Sequence, residues 1–112
     1  MNANAKRIVL ATFGSLGDLH PYIAVALGLK ARGHDVVLAT SEFYRAKIQA
    51  LGIGFHAVRP DLPDFDANPG LAAHLMDLRK GTERILLELV FPALRHSYDD
   101  LLTAVHGADL LV

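Results

Sequence analysis

The sequence predicts an α/β fold, a parallel, Rossmann-like sheet with helices packed on its faces. Three observations predict it. Apolar runs without alternation occur at Ile8-Val9-Leu10-Ala11 and Val36-Val37-Leu38-Ala39, the pattern of strands buried on both faces. Gly33 and Gly52 each stand where a preceding helical segment should end. Between Arg7 and Val58, strand, helix, strand, helix and strand follow at the spacing of right-handed parallel crossovers.

The elements follow in order. A first strand runs from Arg7 toward Phe13, and Gly14-Ser15-Leu16-Gly17-Asp18 then forms a tight loop. From Leu19 to Leu29 no residue is formally charged, and Lys30 and Arg32 complement a helix C-terminus before Gly33. A helix so apolar is expected to be buried on most sides. Asp35 to Thr40 reads as the second strand. Ser41 is placed to cap a second helix, with Tyr44, Ile48 and Leu51 on one face. Ile53 to Val58 reads as the third strand. Arg59 to Gly70, with Pro60, Pro63 and Pro69, is expected to be a surface loop. A short helix over Leu71 to Lys80 should end at Gly81, with Thr82 capping the next. That last helix carries an apolar stripe from Ile85 to Val105, read as core packing, and a kink is expected at Pro92. After Gly107, Ala108 to Val112 reads as a fourth strand.

Composition limits the classes of function. The chain has 112 residues, 52% apolar and 21% charged, which excludes a disordered tail. A net charge of −1 lacks the basic footprint of a nucleic-acid or anionic-membrane binder. With no cysteine there is no disulfide framework and no thiolate metal site, which fits a reducing, cytoplasmic compartment. The longest apolar stretch, Ile85 to Leu94, contains Glu88 and Pro92, so no stable membrane span is expected. The run Ile8 to Ala11 is too short for the core of a signal peptide.

In an open parallel sheet, ligands bind beyond the carboxyl ends of the strands. The first such loop is Gly14-Ser15-Leu16-Gly17-Asp18-Leu19-His20-Pro21. Its glycines let backbone approach a ligand, and free N–H groups at the following helix favour negative charge. Gly14-x-x-Gly17 does not match the dinucleotide fingerprint. Asp18 also reads as an ordinary helix N-cap, and Pro21 as a first-turn proline. His34 reads as turn chemistry. His56, His74, His96 and His106 lack metal-ligand spacing. Asp64-Phe65-Asp66 has a metal-binding form, but its Pro-rich setting favours a solvated loop or part of a pocket wall.

The loop string Gly14-Ser15-x-Gly17-Asp18-x-x-Pro21 directly follows Arg7-Ile8-Val9-Leu10. With Ala26-Leu27-x-Leu29-x-x-Arg32-Gly33-His34-Asp35-Val36, Leu51-Gly52-Ile53-x-Phe55 and Gly107-Ala108-Asp109-Leu110-Leu111-Val112, it resembles the N-terminal domain of GT-B glycosyltransferases. The superfamily is that of the UDP-glucosyl and glucuronosyl transferases, with sterol, lipid and antibiotic members. The resemblance implies inverting transfer of a hexose from a nucleotide sugar, such as a UDP-sugar, to a hydroxyl of a lipid, sterol or natural product. The nucleotide sugar is then a co-substrate, and no resident cofactor or metal is needed. Asp18 matches the general base of antibiotic-type members. His20 is a departure that could orient Asp18, touch the acceptor or act as base itself. Gly14, Ser15 and Gly17 match the substrate-side loop. Residues 1–112 would form the acceptor side of an incomplete GT-B fold, truncated at the fourth strand, with the donor-binding domain beyond Val112. Alone, the chain is expected to be inactive, and a lipid acceptor would place it at a membrane surface. Two alternatives stand beside this: a non-catalytic or half-enzyme module needing a separate donor-binding chain, and a nucleotide-binding fragment of an epimerase.

Overall fold

The computed structural model describes residues 4–112. Its sheet consists of β1 (Arg7–Ala11), β2 (Asp35–Thr40), β3 (Gly54–Ala57) and β4 (Leu110–Leu111), ordered β3-β2-β1-β4. Every neighbouring pair is parallel, with Leu10 beside Leu38 and Leu38 beside Phe55. Successive side chains on a strand face opposite ways, so a continuous apolar run fills two cores at once. Ile8, Leu10, Val36 and Leu38 pack with residues of the helices α1 (Leu16–Ala31) and α2 (Arg45–Ala50). Val9, Val37 and Ala39 pack on the other face against Ala104 of α5 (Leu94–Ala104), with Leu101 and Val105 beside it. The predicted fold class is the observed one.

The chain steps from β1 through β2 to β3, then returns to the other side of β1 as β4. The strand order therefore reverses at β1, which makes the carboxyl end of β1 the switch point where ligands bind in such sheets. Short as it is, β4 is tied at both ends. Asp109 N donates to Arg7 O at 2.8 Å, and Val112 N donates to Val9 O at 2.9 Å.

Several local expectations are corrected. Helix α1 is buried along one stripe only, at Leu19, Ile23 and Ala26, while Val25 is 53% exposed. A single sheet face can cover only one stripe of a helix, whatever the composition of the others. Ser15, not Asp18, is the N-cap of α1, and Pro21 lies inside the helix rather than in its first turn. There it removes the N–H that would meet the carbonyl of Gly17. Ser41 caps a 3₁₀ turn at Glu42–Tyr44, and α2 begins only at Arg45.

The segment after β3 differs most. The helix α3 is Pro69–Leu75 and stops short of Lys80, because the Asp77 carboxylate accepts from Arg79 N (2.9 Å) and Lys80 N (2.8 Å) and closes a separate turn. Those bonds hold the Asp77 carboxyl below its usual range. Gly81 then opens helix α4 (Gly81–Arg84) instead of ending a helix, with Lys80 rather than Thr82 at the cap. A Cβ at Gly81 would stand 2.5 Å from the Leu75 carbonyl oxygen, so only glycine fits this junction. The expected single helix with a kink at Pro92 is instead a chain of helical types: α4, a π-helical stretch at Ile85–Val90, a 3₁₀ turn at Phe91–Ala93, then α5. The proline supplies no N–H, and the ladder rewinds around it. Its apolar stripe is not all core, since Leu86, Leu94 and Tyr98 are exposed. Among the described residues, no helix is long and apolar enough to cross a membrane.

Arg59 anchors the Pro-rich loop to α5. Its backbone N–H and its guanidinium reach the Asp100 carboxylate at 2.8–2.9 Å, and the Ser97 hydroxyl donates to the Arg59 carbonyl. The guanidinium hydrogen bond outweighs partial burial and lowers the Asp100 pKa from 3.8 to about 2. A carboxyl depressed in the folded state stabilises the fold above its unfolded pKa, and that contribution fades as pH falls through the folded value. The stability difference between wild type and Asp100→Asn should therefore be constant above about pH 5 and shrink between about pH 4 and pH 2, measured by urea unfolding. A difference independent of pH would contradict the pairing.

Candidate functional site

The site grows from the end of β1. Thr12 N still donates to Ala39 O at 3.1 Å, and the chain then turns at Gly14, whose φ is +131°. A side chain is strained at that angle, and a Cβ there would also press on the Asp18 carboxylate, 2.9 Å from its carbon. Ser15 follows in extended conformation as the cap, and Asp18 falls at the third helical position. Asp18 Oδ2 accepts from Ser15 N at 3.0 Å and from Ser15 Oγ at 3.3 Å, an arrangement of the capping-box kind. The negative charge favoured at this helix start is thus supplied by the chain itself.

Tyr44 closes the loop from the other side. It is buried, and its hydroxyl donates to Gly14 O at 2.9 Å. Burial raises the phenol pKa above its ordinary value, and the nearby Asp18 charge raises it further. The Phe43 ring stands edge-on to it, centroids 5.3 Å apart.

Gly14, Ser15, Gly17 and Asp18 line a cavity of about 690 Å³. Its other walls come from distant sequence: Tyr44 after β2, Leu62 and Phe65 in the Pro-rich loop, Leu75 and Met76 at the end of α3, and Ile85 and Leu89 on the π-helical stretch. Among the described residues, Asp18 is the one charged residue in an otherwise mostly apolar lining. Such a volume suits a small organic ligand with one polar group to be oriented. His20 is exposed and does not line this cavity. Residues two apart on a helix face different ways, so His20 and Asp18 do not converge. Phe13 borders both this cavity and a smaller one of about 300 Å³ lined by Thr12, Arg59 and Ser97.

Asp64-Phe65-Asp66 forms a turn closed by its own first carboxylate. Asp64 Oδ1 accepts from Asp66 N and Ala67 N at 3.0 and 3.1 Å, while Phe65 contributes to the cavity wall. Among the described residues, no group of three His, Asp or Glu side chains could hold a metal ion. His34 accepts from Lys6 N at 3.0 Å, and His74 pairs with Glu88 at 2.8 Å. Reasoning from sequence missed the part played by Tyr44, Leu75, Met76, Ile85 and Leu89. Their apolar spacing is the same whether they fill a core or line a cavity.

Residues 8–98 match the glycosyltransferase family 28 N-terminal domain. The chain is 34% identical over 111 residues to O-mycaminosyltylonolide 6-deoxyallosyltransferase of Streptomyces fradiae, covering 95% of this chain and 26% of that protein. It is also 34% identical over 113 residues to a sterol 3-beta-glucosyltransferase of Cryptococcus neoformans, covering 95% of this chain and 6% of that protein. Among solved structures, it superposes on the calicheamicin glycosyltransferase with a TM-score of 0.65 at 16% identity, covering 96% of this chain and 26% of the other. A Streptomyces sp. SF2575 glycosyltransferase gives a TM-score of 0.60 at 22% identity, covering 95% and 32%. The chain thus spans a third or less of each of these proteins. A matching domain over most of its length, a reversal of strand order at β1 and the fold of GT-B enzymes converge, and the chain belongs to the glycosyltransferase family 28 N-terminal domain family.

Proposed function

We propose that this chain is the acceptor-binding side of an inverting glycosyltransferase, with Asp18 as general base. The observation that carries this is a single carboxylate, braced by Ser15, in the wall of an apolar cavity beyond β1. The cavity takes the apolar body of the acceptor, a sterol, lipid or natural-product alcohol. The acceptor hydroxyl attacks the anomeric carbon of the nucleotide sugar on the face opposite the leaving group. One bond forms from the hydroxyl oxygen, and the bond to the nucleotide diphosphate breaks with its electron pair. Asp18 takes the hydroxyl proton, and a single displacement inverts the anomeric centre. Its position outside the cavity makes His20 the weaker candidate for this role. Gly14, Ser15 and Gly17 hold the loop and let backbone approach the substrate.

The donor, a hexose on a nucleotide such as UDP, is assigned to a C-terminal domain outside these residues. The cysteine-free composition supports action in a reducing cytoplasm.

The test separates acceptor from donor. Leu89→Trp in the full-length protein fills part of the cavity. With UDP-glucose and a panel of sterol and macrolide alcohols, acceptor KM should rise about tenfold or more, with donor KM unchanged. A rise in donor KM alone would overturn the acceptor assignment.

A further inference from the structure

The peptide group between Gly14 and Ser15 has two partners. Its carbonyl oxygen, on Gly14, accepts from the Tyr44 hydroxyl at 2.9 Å. Its N–H, on Ser15, donates to Asp18 Oδ2 at 3.0 Å. A trans peptide is planar, and its C=O and N–H point in opposite directions. Fixing the carbonyl therefore fixes the aim of the N–H. The anchor matters because Gly14, at φ +131°, lacks the side chain that would restrict rotation of this plane.

The anchor itself is held firmly. Tyr44 is 6% exposed and packs in the core with Leu10, Leu38 and Ile48. Its turn is pinned by the buried Ser41, whose Oγ accepts from Phe43 N and Leu62 N, each at 3.3 Å. Hydrogen bonds in series polarise one another, so a donor at the carbonyl end strengthens donation at the N–H end.

We propose that Tyr44 is a positioning residue that sets the orientation of the Asp18 carboxylate through the Gly14–Ser15 peptide. This rests on the reading of Asp18 as base. Tyr44 acts without proton transfer of its own, and it links the loop after β2 to the loop after β1. The Asp18 charge lies close enough to raise the Tyr44 phenol pKa, second to burial.

The test is a double-mutant cycle in the full-length protein, combining Tyr44→Phe with Asp18→Asn. Phenylalanine keeps the ring and removes only the hydroxyl. With UDP-glucose and the best acceptor of the sterol and macrolide panel, Tyr44→Phe should lower kcat about tenfold, with acceptor KM changing less. In the Asp18→Asn background the same change should have little further effect. A purely structural role lowers the folded fraction alike in both backgrounds, so equal kcat losses would overturn the proposal. So would an unchanged kcat, or a change confined to acceptor KM. If Asp18→Asn alone leaves transfer intact, the base assignment falls and this proposal with it.

Discussion

With Asp18 as the proposed base, Asp18→Asn is expected to lower kcat for sugar transfer about 10²–10⁴-fold, the usual contribution of a positioned base. The melting temperature should barely move. An asparagine oxygen can still accept from Ser15 N and Ser15 Oγ, so the start of α1 keeps the bonds that Asp18 Oδ2 now makes. What it cannot do is take a proton. Asp18→Ala loses both functions and should also weaken the helix start by about 0.3–1.5 kcal/mol, the scale of a capping-box partner. The comparison separates a carboxylate that only braces Ser15 from one that also reacts. If Asn and wild type transfer sugar at the same rate, bracing Ser15 is its whole role.

The second large effect falls on stability. Leu38 is fully buried, and it lies on β2 between Leu10 of β1 and Phe55 of β3. Leu38→Ala removes the centre of the core that α1 and α2 cover, and should destabilise the 112-residue chain by about 2–5 kcal/mol. That is a large part of the roughly 5–15 kcal/mol that folded domains possess. Val25, equally apolar, is 53% exposed on the outer side of α1. Val25→Ala should shift stability by no more than about 0.5 kcal/mol. Urea unfolding midpoints of the two variants compare the faces directly, and equal losses would contradict the assignment of the core.

These contrasts explain what could be read from the sequence. Strands β1 and β2 were legible because their apolar runs are buried on both sides, a demand that leaves no ambiguity of face. Gly33 and Gly52 were legible as helix ends, and both take positive φ, +89° and +74°. The loop from Gly14 to Asp18 was legible as a site, but its geometry was not. Whether Ser15 or Asp18 caps α1 depends on a shift of three residues that composition does not resolve. The far wall of the cavity was hidden for another reason. Asp77 captures two backbone N–H groups and ends α3 early, and the π-helical stretch changes the register of the apolar stripe after it. Together they bring Leu75, Met76, Ile85 and Leu89 to one cavity, although periodicity alone assigned that stripe to the core.

The acceptor-side assignment predicts a specific geometry. The most direct measurement is a structure of the full-length protein with an accepted sterol or macrolide alcohol bound. The apolar body should fill the cavity between Tyr44 and Leu89, with the reactive hydroxyl about 2.6–3.2 Å from Asp18. An acceptor seated elsewhere, or a nucleotide occupying that cavity, would contradict it.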